Sequence, residues 1–137
     1  MRARFSNLAW SFTLILMSCG LWGCDQVSDI RELARVSSPG KQLDVVITEI
    51  NSDATVSKPY EVYLVGAGKK PTAAGLILKV DKTQQPHVEW VSNTTVVLRC
   101  EQARVWAFRN FASIADSGGG FANISVALEC GQHGYGS

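Results

Sequence analysis

Beyond residue 36 the chain is divided into short apolar runs in which apolar and polar residues tend to alternate, and turn-forming residues separate one run from the next. In the run 43–50, Leu43, Val45 and Ile47 fall on one side of an extended chain. Successive side chains of a strand point to opposite faces, so such runs form half-buried strands. No apolar pattern with the 3.6-residue period of a helix is sustained after Val36. The sequence therefore predicts a mainly β fold.

Seven runs of this kind lie close together along the chain. The predicted strands are 43–50, 60–65, 74–80, 87–91, 95–100, 103–109 and 121–130. Short strands without intervening helices favour antiparallel pairing, so we expect an antiparallel meander sheet, a sandwich or a partly closed barrel of about six or seven strands. Residues 112–120 are assigned to a glycine-rich turn. Ile30, Leu33 and Ala34 share one helical side within residues 26–36, which predicts a short N-terminal helix.

The first 23 residues have the composition of a secretory signal peptide. Arg2 and Arg4 form a positively charged start, and residues 8–17 form an uncharged apolar stretch. That stretch is shorter than the about 20 apolar residues that a transmembrane helix needs. A cleaved leader is therefore favoured over a membrane span.

The end of this leader resembles a lipobox, in which a small residue precedes the cysteine that carries the lipid. We assign Cys24 in Leu-Trp-Gly-Cys as the lipidation site, because Gly23 is the smallest residue that can stand at the cleavage point. Cys19 in Leu-Met-Ser-Cys is the alternative anchor, and an ordinary secretory signal is the alternative to lipidation. Two or more acyl chains hold a protein stably at a bilayer. By resemblance to enterobacterial lipoproteins, Asp25 implies the inner membrane, with the domain facing the periplasm.

These assignments divide the chain into four parts. Residues 1–23 form the lipoprotein signal peptide, residues 24–36 the lipid-anchored tether and short helix, residues 37–130 the β domain and residues 131–137 a flexible tail.

Cys100 and Cys130 are the cysteines that remain in the mature domain, and an oxidising compartment favours a disulfide between them. Each continues the apolar face of its predicted strand, so both thiols are expected to point into the core. A bridge across about 30 residues contributes about 3.5 kcal/mol in the chain-entropy description. Two buried thiols that never meet are the alternative.

Composition argues against two classes of partner. The formal net charge is +1, and it falls by two, to −1, when Arg2 and Arg4 leave with the leader. A domain this neutral lacks the basic footprint of a nucleic-acid-binding protein. Cys130 and His133 have a C-x-x-H spacing, but no second pair accompanies them, so neither a metal site nor a cofactor is predicted.

The residues that could support catalysis are few, and no catalytic residue is assigned. His133 lies in the glycine-rich tail, His87 stands at a strand start, and there is no G-x-S-x-G motif for a nucleophilic serine. Glu61 and Glu89 alternate with apolar neighbours, which is typical of the outer face of a sheet. A hydrolase that uses Glu61 or Glu89 with His87 is kept as the less favoured alternative.

Aromatic residues supply the candidate binding surface. Tyr63, Trp106 and Phe111 form a binding patch if they gather on one exposed face, because exposed aromatic clusters mark interaction sites. Packing in the core is the placement that we favour for most of the aromatic residues.

The chain resembles a group of small uncharacterised bacterial secreted proteins and lipoproteins. The matching features are the lipobox, the lead into an Arg-Val-Ser-Ser-Pro turn at residues 35–41, the Tyr-Glu-Val-Tyr strand at 60–65 and Phe-Arg-Asn-Phe at 108–111. Those proteins usually have an aspartate between the proline and the glycine, which this chain lacks, so the first turn is expected to differ. The resemblance implies a β fold and no mechanism.

Residues 38–47 and 87–98 also resemble the turn-then-strand units of propeller blades. A closed propeller needs at least four blades, and residues 24–137 are too few for them.

These expectations together predict a non-catalytic binding or interaction module displayed from an envelope membrane. The expected partners are membrane lipid, through the acyl anchor, and an envelope protein. A small inhibitor or immunity-type lipoprotein, which protects its own envelope from a lytic enzyme or toxin, is the first alternative.

Overall fold

The computed structural model describes residues 30–51 and 57–132, most of which lie in strands. The strands are β1 (Ile30–Ser37), β2 (Leu43–Ile50), β3 (Tyr60–Gly66), β4 (Leu76–Asp81), β5 (His87–Ser92), β6 (Thr95–Phe108), β7 (Phe111–Ala115) and β8 (Phe121–Gln132). A short 3₁₀ turn, Ala73–Gly75, precedes β4. The prediction of a mainly β fold is confirmed. No helix in these ranges is long and apolar enough to cross a bilayer.

The eight strands form one sheet that does not close into a barrel. The hydrogen-bonded order is β1-β2-β3-β4-β6-β8-β7, and β5 pairs with β6 beside that path. The predicted antiparallel pairing holds for every neighbouring pair except β6 and β8, which run parallel. The order of the strands in the sheet also departs from their order in the chain at this pair, because β8 lies between β6 and β7.

β6 is shared between two parts of the sheet. Its first half pairs with β5 and β8, and its second half pairs with β4. The register with β8 shifts after Cys100, where Glu101 is an extra residue opposite Gly131. A Cβ on Gly131 would lie 2.0 Å from the carbonyl oxygen of Glu101, so this close approach requires glycine. The predicted strands 95–100 and 103–109 are therefore one continuous strand with a bulge in it.

One hydrophobic core joins strands that are far apart in the hydrogen-bonded order. Its buried members are Leu43, Val45, Ile47, Val62, Leu64, Ile77, Leu78, Val80, Val88, Val96, Leu98, Ala103, Ala112, Ile124 and Val126. Because β2 and β7 contribute to the same core, the sheet folds over on itself. β1 to β4 and the end of β6 form a first layer, and β5, the start of β6, β8 and β7 form a second.

The predicted N-terminal helix is wrong for its described part, since the chain from Ile30 onward forms β1. The register with β2 shifts between Glu32 and Ala34, which leaves Leu33 as the extra residue of a bulge. Leu33 and Ala34 both pack against the core although they are consecutive. The bulge therefore gives this strand an apolar spacing that imitates one side of a helix.

The glycine-rich turn is shorter than predicted, because residues 111–115 form β7. Ala112 is buried and Ile114 is half-buried, so this strand has its own inward face. The turn itself is closed by the Asp116 carboxylate, which accepts hydrogen bonds of 2.9 Å from the backbone N–H groups of Gly118 and Gly120. The sheet extends over residues 30–132, beyond the predicted domain bounds of 37–130 at both ends. The predictions for Cys19, Cys24, Asp25, His133, the leader and residues 133–137 fall outside the described residues.

Candidate binding surface at the edge of β6

The predicted disulfide between Cys100 and Cys130 is confirmed. The two residues are direct partners in the parallel pair β6–β8, with their Cα atoms 4.5 Å apart. Both pack against the core, as the strand alternation predicts. The bridge therefore fastens β8 to β6 one residue before the bulge at Glu101.

Tyr63 does not belong to an exposed patch. It is only 8% exposed and forms a small apolar cluster with Val46 and Val65 on the face of the first layer that points away from the main core. Its hydroxyl donates a 2.5 Å hydrogen bond to Oε2 of Glu61, and Lys79 Nζ lies 2.8 Å from Oε1 of the same carboxylate. Burial, reinforced by this hydrogen bond to Glu61, raises the pKa of Tyr63. The phenol is thus part of a buried polar group.

Trp106 and Phe111 are exposed, at 59% and 54%. They stand on β6 and β7, which are separated in the sheet by β8. The three residues of the predicted patch therefore do not form one surface. Trp106 and Phe111 are both exposed, but they lie on strands that are not neighbours.

One segment of β6 carries several of the exposed apolar side chains. Among the described residues the exposed large apolar side chains are Ile30, Val91, Val105, Trp106, Phe108, Phe111 and Phe121. Three of them, Val105, Trp106 and Phe108, lie in residues 104–109, which we call the β6 edge. Their exposed fractions are 43%, 59% and 37%, although β6 is otherwise a central strand.

Among the residues that the structure describes, the strand partner of the β6 edge is β4. Pairing between β6 and β8 ends at Ala103, opposite Gln132, and from Arg104 onward β6 pairs with β4 alone within the described chain. Arg109 extends this pairing, because its backbone N–H donates to Ile77.

Trp106 is placed at this edge by a β-bulge. Lys79 pairs with Ala107 and Val80 pairs with Val105, so Trp106 is the extra residue and has no partner in β4. Bulges turn a side chain away from the regular alternation and are common next to binding sites. The guanidinium carbon of Arg104 lies 4.4 Å from the centre of the Trp106 ring, a distance at which a cation attracts an aromatic face.

An ion pair fixes the start of the β6 edge. Arg104 Nε donates to Oδ1 of Asp81 at 2.8 Å, and a second nitrogen of the guanidinium donates to Oδ2. These hydrogen bonds lower the pKa of the buried Asp81 carboxyl, against the effect of burial, and the Trp106 indole and the charge of Lys82 lower it further. The carboxylate is therefore held ionised between two cations and an indole donor.

The charge along the β6 edge is positive. Lys82, Arg104 and Arg109 stand against one carboxylate, that of Asp81, and no acidic residue occurs between Gln102 and Ala115 in the chain. Arg109 Nη1 donates to the carbonyl of Ala74 at 3.1 Å, which directs this side chain toward the 3₁₀ turn. The surface therefore combines exposed apolar side chains with an excess of positive charge at its two ends.

The residues of the hydrolase alternative are distributed over two layers. Glu61 lies on β3 in the first layer, held by Tyr63 and Lys79. His87 and Glu89 lie on β5 in the second layer, and Arg99 binds Glu89. β3 and β5 are not neighbouring strands, so the fold does not bring Glu61 and His87 together on a shared strand pair.

A shallow depression lies at the other end of the first layer. It is lined by Ile30, Arg31, Glu49, Asn51 and Lys58. Lys58 Nζ lies 3.7 Å from a Glu49 carboxylate oxygen. Across residues 30–51 and 57–132, no group of three or more His, Cys, Asp or Glu side chains is arranged to hold a metal ion.

No protein-family model, curated protein or solved structure matches this chain.

Proposed function

We propose that this chain is a lipid-anchored lipoprotein of the bacterial envelope, and that its β domain is a binding module that faces the periplasm and uses the β6 edge to contact an envelope protein. The observation that carries the binding proposal is the exposure of Val105, Trp106 and Phe108 on one strand segment. Large apolar side chains in a row on a soluble surface are costly to leave in water, and they are typical of interaction sites.

The anchor is supported by the sequence of the leader. A charged start, a short apolar stretch and a Gly-Cys end are the features that a lipoprotein signal needs. The Cys100–Cys130 disulfide supports an oxidising compartment, and Asp25 favours retention at the inner membrane.

The anchor is tested by comparing Cys24→Ala with Cys19→Ala in cells labelled with radioactive palmitate. We expect Cys24→Ala to abolish labelling and to remove the protein from the membrane fraction, while Cys19→Ala leaves both unchanged. Labelling that survives in Cys24→Ala and is lost in Cys19→Ala would move the anchor to Cys19. Absence of label from the unaltered protein would refute lipidation.

The binding surface is tested by photo-crosslinking in intact cells. A photoreactive amino acid is placed at Trp106 or, as the matched control, at Val91, which is 62% exposed on β5 and is also the extra residue of a bulge. We expect a discrete crosslinked product with an envelope protein from position 106 and none from position 91. Equal products from both positions would show that exposure alone, and not the β6 edge, determines the contact.

A further inference from the structure

We propose that three turns at one end of the domain form a basic docking surface, and that the envelope protein partner presents a carboxylate-rich segment to it. We call this surface the basic end, and it consists of residues 38–42, 66–72 and 116–121. The inference rests on the proposed function, because it gives the same partner a second point of contact and specifies the chemistry of the partner there.

Backbone hydrogen bonds hold the three turns of the basic end together. The carbonyl of Gln42 accepts from the N–H groups of Ala67, at 2.9 Å, and of Ser117, at 3.3 Å. Gly66 approaches the third turn so closely that a Cβ on it would lie 3.0 Å from the carbonyl oxygen of Ala115. Turns that are tied to one another through the backbone keep their relative positions, because moving one of them breaks these hydrogen bonds. The basic end is therefore a preformed surface.

The charge of the basic end is positive. Lys41, Lys69 and Lys70 are exposed there. Asp116 is the single acidic residue in the three ranges, and its Oδ1 atom accepts hydrogen bonds from the backbone of its own turn. Three positive charges therefore stand against one negative charge that is already engaged.

Several of the other cations are neutralised within the domain. The ion pairs of residues 30–51 and 57–132 engage Arg35, Lys58, Lys79, Arg99 and Arg104. The buried Asp44 carboxylate, which accepts from the N–H of Gly68, is paired with Arg35, and Arg35 also binds Glu32. The lysines of the basic end do not occur in these pairs, so their charge attracts an acidic partner.

An exposed aromatic side chain completes the basic end. Phe121 is 78% exposed, the largest value among the exposed large apolar side chains of the described residues, and it directly follows the turn 116–120. Covering a phenylalanine side chain on association is favourable by about 1.5–3 kcal/mol. Protein interfaces combine an apolar centre with a polar rim, so a protein surface with an apolar spot and carboxylates around it matches the basic end.

The basic end adjoins the β6 edge through Arg109. The guanidinium of Arg109, the last residue of the β6 edge, donates to the carbonyl of Ala74 at 3.1 Å. Ala74 belongs to the 3₁₀ turn Ala73–Gly75, which follows residues 66–72 in the chain. A partner that covers Trp106 therefore has a path along Arg109 to the lysines, and the two surfaces form one interface.

The position of the anchor separates a protein partner from the bilayer as the occupant. The first described strand begins at Ile30, and β1 then runs about 23 Å to Ser37, immediately before the first turn of the basic end. The six residues from Cys24 to Ile30 extend over at most about 22 Å. With β1 upright, this reach is too short to place the basic end on the bilayer that holds the anchor. The upright domain directs its lysines toward the periplasm, where an acidic protein surface meets them.

The proposal is tested by photo-crosslinking from position 121 of the lipidated protein in intact cells. Benzoylphenylalanine replaces Phe121. It is combined with Lys69→Glu and Lys70→Glu, which reverse the charge, or with the matched control Lys69→Arg and Lys70→Arg, which keeps it. Mass spectrometry identifies the crosslinked segment of the partner, and thermal melts of the purified variants confirm that each is folded.

We expect position 121 to crosslink to the same envelope protein as position 106, at a segment rich in aspartate and glutamate. The two glutamate substitutions should reduce the product at least about tenfold, because like charges then oppose one another at the interface. The two arginine substitutions should change the product less than about twofold, since the positive charge remains.

A product with lipid, with lysozyme-sensitive glycan or with a neutral or basic protein segment would overturn the proposal, and so would the absence of any product from position 121. If position 106 still crosslinks in these cases, the β6 edge remains the binding surface and the basic end alone is rejected. If neither position crosslinks, the proposed function fails as well.

Discussion

At the residue scale, Asp44 shows how the outer face of the first layer holds a buried charge. Its carboxylate is 3% exposed and accepts hydrogen bonds from Arg35, from the hydroxyl of Ser37 and from the backbone N–H of Gly68, at 2.8–2.9 Å. Burial raises the pKa of Asp44, but the Gly68, Arg35 and Ser37 hydrogen bonds outweigh it and the pKa lies below its ordinary value. This one carboxylate therefore ties β1, β2 and the loop after β3 together.

The lowered pKa of Asp44 makes stability depend on pH. A carboxyl whose pKa is lower in the folded state stabilises the protein fully above its unfolded pKa, and this contribution is lost as the pH falls through the folded pKa. We expect Asp44→Asn to reduce the free energy of unfolding at pH 7 by about 1–3 kcal/mol, because Arg35 loses one of its two carboxylate partners and the Gly68 N–H loses a charged acceptor. The difference from the unaltered protein should shrink below about pH 4. Urea unfolding between pH 2.5 and 7 measures it, and a difference that stays constant with pH would contradict the assignment.

The backbone of Lys41 is strained, because its φ of 54° lies in the left-handed region, which residues with a Cβ rarely adopt. It stands in the turn between β1 and β2, where its N–H donates to Ser38 at 2.9 Å. Glycine adopts this conformation without the clash of a Cβ, although it is more flexible when unfolded. We expect Lys41→Gly to raise the free energy of unfolding by about 0.5 kcal/mol. The control Lys70→Gly, at an exposed loop position without positive φ, should lower it, and the same sign in both variants would contradict this account.

At the element scale, β6 determines the architecture, because it pairs with β5 and β8 in one layer and with β4 in the other.

The Cys100–Cys130 disulfide links β6 to β8, the single parallel pair among the described strands. Removing the bridge with Cys100→Ser and Cys130→Ser frees a loop of 30 residues in the unfolded chain. We expect the double variant to lose about 3.5 kcal/mol of stability in urea unfolding. Reduction of the unaltered protein should shift the midpoint equally, and a double variant as stable as the oxidised protein would show that the bridge adds nothing.

Strands in which the alternation is uninterrupted are predicted correctly. Leu43 to Ile47 in β2 and Ile124 to Leu128 in β8 show it clearly, and turn residues mark both ends of each run. β1 is missed because the bulge at Leu33 breaks the period. β7 is missed because alanine and serine between Phe111 and Asp116 give a weak apolar signal beside three glycines. Local pattern thus predicts strands, and it fails where a bulge or small residues mask the alternation.

The binding surface is predicted only in part, and the reason is again physical. Trp106 is exposed, which the sequence offered only as one of two placements, and sequence spacing does not reveal that it is the extra residue of a bulge. Tyr63 lies on an outer strand face, which suggests exposure, yet Val46, Val65 and the Glu61 carboxylate surround it. No local signal in the sequence marks the order of the strands in the sheet, because β8 pairs with β6 in parallel although β7 lies between them in the chain.

At the scale of the whole molecule, the core and the proposed anchor are separate. Within residues 30–51 and 57–132, every buried core residue lies between positions 43 and 126, whereas the proposed anchor Cys24 precedes the first described strand. The described core contacts are made within the β domain, so we expect the proposed lipidation to change where the domain is held and not how it packs.

This separation predicts that release from the membrane leaves the fold intact. A chain that starts at Asp25, exported behind the signal peptide of a soluble periplasmic protein, should have the same melting temperature as the lipidated protein in detergent, to within about 2 °C, because no core contact is lost. Its two cysteines should be protected from alkylation without reductant. A markedly lower melting temperature or free thiols in the released form would mean that the membrane contributes to folding, and the anchor could then no longer be treated as a tether alone.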